Sequence, residues 1–230
     1  MIDIADARIA ARSAWGAEIR ATFALAWPLV LINLSNIALG TTDVILMGWI
    51  GPEALAAGAL ATNLNFALMF FGIGRVTATS PLIAIELGRK RHSVRDVRRS
   101  VRQGLWVAIT ISVPVWAVLW HGEWIMIRLG QEPDLAREAA GYLHTLQWGI
   151  LPFLGFVVLR NFVSALQQPL SALWVGLAAI PVNALLNYWL IFGGLGVSAL
   201  GLTGAGIGTS VTNLLMFVAL AAVVSLHRRF

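Results

Sequence analysis

Long apolar runs make up most of this chain, and short clusters of charged residues, glycine or proline separate them. A bilayer core about 30 Å thick is crossed by roughly 20 apolar residues in a helical conformation. Six runs reach that length. The pattern therefore predicts six transmembrane helices, at about 21–50, 54–87, 103–121, 137–160, 168–193 and 202–226.

The two ends of the chain differ from these runs. Residues 1–20 alternate Arg, Asp and Glu with Ile, Ala and Trp, which favours an amphipathic helix lying at the membrane interface. They lack the basic, apolar and small-residue order of a signal peptide, so we expect them to remain in the mature protein. Residues 227–230 form a short basic tail, expected to be cytoplasmic.

The composition supports a membrane protein and excludes several other classes. The 230 residues are 58% hydrophobic and 12% charged, whereas soluble domains carry about 25% charged residues. The net charge of +5 is therefore not the mark of a nucleic-acid binder. The absence of cysteine excludes disulfides and thiolate metal sites. We expect an all-α integral membrane protein, a single bundle of six transmembrane helices.

The distribution of basic residues predicts the orientation of the spans. Arg128 and Arg137 lie on one side, whereas most of the 16 Lys and Arg lie on the other, including the run RKRHSVRDVRRSVR at 89–102. The basic side is expected to be cytoplasmic, which puts both termini inside and the acidic loop 123–134 outside. The basic run is interpreted as an anchor at the lipid headgroups rather than as a ligand site.

The first span carries a polar stripe of Asn33, Asn36, Gly40 and Asp43. At 100° per residue their spacing keeps them within an arc of about 80°. Hydrogen bonding between helices is one interpretation of the two asparagines. A carboxylate costs about 2.5 to 3.5 kcal/mol at the centre of a lipid-facing helix, so Asp43 is expected to hold a proton or a cation.

The fifth and sixth spans offer further oxygens. Asn183 and Asn187 are four residues apart on one helical face, just after Pro181, and the glycine-dense start of the sixth span contains Thr203, Thr209 and Thr212. Amide and hydroxyl oxygens can complete the shell of a hard cation that a carboxylate opens. Helix packing through amides and small residues is the alternative.

Other polar residues give weaker signals. Arg75 in the second span either snorkels to the interface or points inward, toward substrate or through water toward Glu86. The four histidines are scattered, and no two of them have the i, i+4 spacing of a metal site. We therefore expect neither a metal site nor an enzyme.

Several segments resemble one transporter family. The runs WPLVLINLSNIALGTTDVILMGWIGPEALAAGAL, TSPLIAIELGRKR, VRQGLW, LRNF and PVNALLNYWLIFGGLGVSALGLTGAGIGTS are similar to the amino-terminal half of a bacterial multidrug and toxic compound extrusion (MATE) transporter of the NorM-like type. The resemblance implies one lobe of a twelve-helix protein. In that family two six-helix lobes flank a central cleft, and a proton or sodium gradient drives export of organic, often cationic, compounds.

The resemblance also assigns residues. It implies that Asp43 is the protonation or sodium-binding carboxylate and that Asn183, Asn187 and Thr209 are cation-coordinating oxygens. Asn33, Asn36 and Arg75 are expected to face the substrate cavity. Some relatives have Asp at the position of Asn187, and a Gln that is frequent near the end of the second span is Ile85 here. The coupling ion, proton or sodium, is the only cofactor expected.

The resemblance covers about residues 21–226 and leaves the family's second lobe unmatched. A fragment, one half of a split transporter and a half that pairs with itself are the three explanations. The expected setting is the bacterial cytoplasmic membrane, and the expected partners are lipid, small organic cations and a second lobe or another copy. A flippase for lipid-linked precursors and a membrane assembly subunit without transport activity are the alternative functions.

Overall fold

The computed structural model describes residues 4–77, 94–166, 168–194, 196 and 198–226, and in these ranges the chain is almost entirely helical. The helices are α1 Ile4–Ile50, α2 Pro52–Thr77, α3 Val94–Trp120, α4 Gly122–Arg128, α5 Pro133–Leu146, α6 Ile150–Ala165, α7 Leu170–Phe192 and α8 Gly201–Leu226. A 3-10 turn, Gln147–Gly149, joins α5 to α6. The described part contains six helical spans that are long and apolar enough to cross a membrane, which confirms the predicted six-helix all-α bundle.

Several observed helices are longer than the predicted spans. α3 begins at Val94 rather than near residue 103, and α5 and α6 together cover Pro133–Ala165 rather than 137–160. Hydropathy detects only the part of a helix that fits the bilayer, whereas the backbone remains helical beyond it. The second span is described only to Thr77. Its predicted end, with Ile85 and Glu86, lies outside the described residues.

The first helix has no boundary at residue 20. α1 continues from Ile4 to Ile50 as one helix, and its apolar part begins at Glu18. No proline interrupts α1 at the predicted boundary, because Pro28 lies within the span that follows it. The placement of residues 1–20 at the membrane interface stays a prediction.

The predicted acidic loop is partly helical. Residues Gly122–Arg128 form the short helix α4, which packs against α5. Arg137 lies 3.1 Å from Asp134 and 3.9 Å from Glu123, and all three side chains are exposed. Exposed ion pairs of this kind contribute about 0–1 kcal/mol. These ion pairs therefore contribute little to the stability of this end of the bundle.

Helix α8 is the central packing element, since it contacts α7, α5, α6 and α1. Its amino-terminal glycines allow these contacts to be close. A Cβ atom on Gly204 would lie 2.5 Å from the carbonyl oxygen of Leu190 on α7. Small residues drive helix association in membranes in this way, because apolar burial gives little gain against lipid.

Two apolar clusters of buried side chains form the core of the bundle. The first contains Leu46, Leu119 and Leu143, and the second contains Ile32 and Leu173. Large apolar side chains on the outside are exposed in the isolated chain, as membrane-facing residues should be. On α1, Leu39 packs on the second cluster and Leu46 belongs to the first. Asp43 therefore lies between the two apolar cores.

Candidate cation site and cavity

Asp43 accepts hydrogen bonds from two helices. The Asn187 Nδ2 group on α7 donates to Asp43 Oδ1 over 2.6 Å, and the Thr209 hydroxyl on α8 donates to Asp43 Oδ2 over 3.0 Å. Asn187 Nδ2 also lies 3.4 Å from Thr209 Oγ1. Each carboxylate oxygen thus has its own donor. Hydrogen bonds to an ionised acceptor are stronger than neutral ones, so this network holds α1 against α7 and α8.

Asn183 is the fourth member of the cluster. Its side chain lies one helical turn before Asn187 and close to the same carboxylate. Asn183 is 1% exposed and Asn187 is 0% exposed. The Oδ1 atoms of both asparagines are buried and have no hydrogen-bond partner. Buried acceptors without a donor are costly, so these oxygens are candidates to receive a cation or a donor.

Glycine determines where the Asn187 amide lies. The side chain crosses directly over Gly208, where an added Cβ would overlap the Asn187 Oδ1 atom. On this part of α8 the glycines face neighbouring helices, whereas Thr209 faces the carboxylate. A side chain at position 208 would therefore displace the Asn187 amide from the place where it reaches Asp43.

The carboxylate opens onto a cavity of about 350 Å³. Its walls are mostly apolar and include two methionines and three aromatic residues, Met47, Met69, Phe66, Tyr142 and Phe153. Amides contribute the polar part, from Asn36, Asn63, Asn65 and Asn213. Among the described lining residues Asp43 is the only charged one. An apolar wall with one acid is suited to an organic cation.

Sequence reasoning missed several cavity residues. Tyr142 is 2% exposed, and its hydroxyl lies near the Thr62 side chain. Asn65 has a buried Oδ1 atom without a partner. Asn63 and Asn65 are two residues apart and both line the cavity. A polar pair in an otherwise apolar α2 was the available signal, but only the packing shows that it faces Asp43.

The structure separates the predicted stripe of α1. Asn36, Gly40 and Asp43 line the cavity, whereas Asn33 is exposed and does not line it. Asn33 lies ten residues before Asp43, about 15 Å away at 1.5 Å per residue, and at the edge of the arc. Asn33 therefore lies outside this cavity, and its predicted place in the substrate cavity of a complete transporter stays a prediction.

Other predicted residues fall elsewhere. The Thr203 hydroxyl donates to Leu200 O and the Thr212 hydroxyl to Gly208 O, so both are used within or beside their own helix. Arg75 lies on α2, but its side chain is outside what the structure describes. In the described part of the chain, no three His, Cys, Asp or Glu side chains are grouped as a metal site requires.

Comparison with known proteins gives one family. The family model described as MatE matches residues 28–189. A probable multidrug resistance protein NorM of Mesorhizobium japonicum is 55% identical over 216 residues, which is 94% of this chain and 46% of that protein. The corresponding protein of Brucella suis is 49% identical over the same shares. The chain thus spans about half the length of the curated relatives it matches.

The fold comparison agrees with the sequence comparison. The crystal structure of the eukaryotic MATE transporter AtDTX14 superposes with a TM-score of 0.81 at 19% identity, over 93% of this chain and 46% of that structure. At this identity the match shows the fold alone. The family match covers most of the chain and includes Asp43, Asn183 and Asn187, so this six-helix protein belongs to the MatE, or MATE, family of membrane proteins.

Proposed function

We propose that this chain forms one lobe of a cation-coupled exporter of organic, often cationic, compounds. The observation that carries the proposal is the Asp43 carboxylate, held by Asn187 and Thr209 and open to an apolar cavity. Ionisable residues inside a membrane are expensive and mark ion or substrate pathways. A purely structural role does not require a carboxylate there, since an amide would bridge the same helices.

The hydrogen bonds at Asp43 suggest how ion binding acts on the helices. An ionised carboxylate accepts from both the Asn187 amide and the Thr209 hydroxyl. A bound proton turns one carboxyl oxygen into a donor, and a bound sodium ion requires oxygens rather than N–H groups. Either change weakens this contact of α1 with α7 and α8. A cation that favours one arrangement of these helices shifts the population of states, and substrate affinity follows.

The two coupling ions make different demands on Asn187. Its Nδ2 group faces the carboxylate while its Oδ1 lies against Gly208. Sodium would require the amide to turn its oxygen toward the ion, whereas a proton requires no such rotation. The coupling ion, proton or sodium, therefore decides whether this amide must rotate, and the gradient experiment below distinguishes the two.

The cavity supports an organic cation as the substrate class. Aromatic faces attract cations, and methionine adapts to ligands of different shape. A lipid-linked precursor carries phosphate and needs basic partners, which the described lining does not contain. We therefore do not propose the flippase function.

A second six-helix body completes the proposed exporter. The cavity is bordered by exposed Asn63 and by half-buried Asn36, and amides that face lipid are unfavourable. Alternating access requires two bodies that move about a site between them. We propose a separate chain or another copy of this one in that place, in a bacterial cytoplasmic membrane with both termini inside. The chain alone is not expected to transport as a monomer.

Proteoliposomes test this function. The chain is reconstituted at several protein-to-lipid ratios, its oligomeric mass is measured in nanodiscs, and ethidium movement is followed under a proton gradient or a sodium gradient. Gradient-driven movement is expected only where the chain is at least dimeric or supplied with a second lobe, and Asp43→Asn should abolish it. The exposed Asp134→Asn is the matched control and should keep wild-type movement. Full activity of Asp43→Asn, or activity of a verified monomer, would contradict the proposal.

A further inference from the structure

The fourth span is interrupted beside the cavity. The 3-10 turn Gln147–Gly149 lies midway through Pro133–Ala165. At this turn the Ile150 N–H donates to Gln147 O, three residues back, rather than to Leu146 O as in a regular α-helix. Leu146, Gly149 and Ile150 line the cavity. A 3-10 stretch inside a helix often marks a functional hinge.

Side chains from two other helices also donate to carbonyls at this turn. The Ser210 hydroxyl on α8 donates to Thr145 O over 2.7 Å and lies 3.1 Å from Leu146 O. The Trp116 Nε1 group on α3 donates to Gln147 O over 2.7 Å. Three successive carbonyls of the span are therefore held by side chains from outside it. Hydrogen bonds between helices stabilise their contacts in a membrane, so these side chains hold the turn in place.

The contact with Ser210 depends on a glycine. A Cβ on Gly149 would lie 2.9 Å from the Ser210 Cα atom and 3.0 Å from its Oγ. Without that Cβ, α8 lies directly against the turn. The serine hydroxyl then reaches two carbonyls that a bulkier position 149 would push away.

Ser210 is the direct neighbour of Thr209, which donates to Asp43. The two residues point about 100° apart around α8. One therefore holds the carboxylate on α1, while the other holds the turn in the fourth span. A rotation or shift of α8 that changes the Thr209 contact must also change the Ser210 contact, because both side chains are fixed to the same helical turn.

We propose that Ser210 is a positioning residue that links Asp43 to the cavity wall. When a proton or cation occupies Asp43, the local movement of α8 reaches the turn through Ser210. Leu146, Gly149 and Ile150 then shift, which changes the shape of the cavity. This proposal rests on the proposed function only in assuming that Asp43 binds and releases a proton or cation.

Hydrogen exchange of the purified full chain in nanodiscs tests this link without any transport assay. The measured segment is 143–153, and Asp43→Asn represents the neutral site. Asp43→Asn should change exchange of the turn by about threefold to tenfold, as expected for the loss of one hydrogen bond. Ser210→Ala should speed exchange by a similar factor, and Asp43→Asn should then add nothing. This lack of additivity is the signature of a coupled pair.

Three control variants separate linkage from simple support. Trp116→Phe removes the other donor of the turn and should speed exchange while preserving the full response to Asp43→Asn. Ser210→Thr keeps the hydroxyl and should behave as the wild type. Ser112→Ala removes a buried hydroxyl that bonds only to its own helix, at Ala108 O, and should leave the segment unchanged. If Ser210→Ala prevents folding, Ser210→Cys provides a weaker donor of similar size.

Two results would overturn the proposal. One is a turn that does not respond to Asp43→Asn in the otherwise wild-type chain. The other is a full, additive response to Asp43→Asn in the Ser210→Ala or Ser210→Cys background, which would make Ser210 merely structural. Coupled exchange without gradient-driven ethidium movement would refute the exporter function alone, so the two proposals can fail separately.

Discussion

Asparagines lie on both sides of the Asp43 carboxylate, and the two sides use them differently. On the side of α7 and α8, Asn183 and Asn187 are fully buried, and Asn187 donates directly to the carboxylate. On the cavity side, Asn36 is half-buried and Asn63 is exposed. The first side is closed by glycine contacts, whereas the second is an open cavity of about 350 Å³.

This difference shows that residue type alone does not reveal a role. We call the close-packed contact of α7 and α8 beside Asp43 the seam; it contains Asn183, Asn187, Gly208 and Thr209. An amide in the seam has a fixed orientation and fixed partners, so its loss leaves a buried group unpaired. An amide on a cavity wall can exchange its partners for those of a ligand. We therefore expect the seam to govern ion dependence and the wall to govern substrate preference.

The largest expected effect comes from closing the seam with a side chain. Gly208→Val places methyl groups where the Asn187 amide lies, which should separate Asn187 from Asp43 and abolish gradient-driven ethidium movement. Overpacking should also lower the free energy of unfolding by about 1–3 kcal/mol. Gly48→Val is the control, since an added Cβ at Gly48 meets nothing within 4 Å. Equal loss of movement in both variants would contradict the seam argument.

The next largest effect is expected from a substitution that removes one donor to the Asp43 carboxylate. Asn187→Ala leaves Asp43 Oδ1 without its donor and should lower the free energy of unfolding by about 1–3 kcal/mol. It should also change the pH or sodium dependence of ethidium movement. The cavity-side variant Asn63→Ala should change the free energy of unfolding by less than about 0.5 kcal/mol. Similar effects of the two variants would show that the two sides do not differ.

A smaller effect is expected from the cavity wall. Phe66 lines the cavity and is exposed there, so Phe66→Ala should weaken the interaction with an aromatic cation. Loss of a cation–π contact of about 0.5–1 kcal/mol corresponds to a twofold to fivefold weaker apparent affinity. The measurement compares ethidium with a small aliphatic cation across pH values. A change in pH dependence, rather than in substrate preference, would place Phe66 with the seam.

The smallest effect is expected at Asn33. Because Asn33 is exposed and does not line the cavity, Asn33→Ala should leave both ion dependence and substrate preference unchanged within error. Asn36→Ala, on the same helix and in the cavity wall, is its counterpart and should alter substrate preference. A change in ion dependence in Asn33→Ala would restore the full stripe of α1 that the sequence predicts.

The membrane setting, the six spans and the candidate residues Asp43, Asn183 and Asn187 were predictable from the amino-acid sequence. These properties are local: hydropathy reports the length of an apolar run, and helical periodicity reports which residues share a face. Asp43 stands out because a carboxylate in an apolar helix is costly wherever that helix packs. Asn183 and Asn187 stand out because they are one turn apart on the same helix.

Which of these residues meet depends on how the helices pack. Asp43 and Asn187 are separated by 144 positions, and their contact depends on how closely α8 approaches α7 at Gly204 and Gly208. The position of Asn33 outside the cavity and the hydrogen bonds of Ser210 to the turn likewise depend on distances between helices. Such distances result from packing between distant segments, and a periodic pattern within one helix carries no information about them.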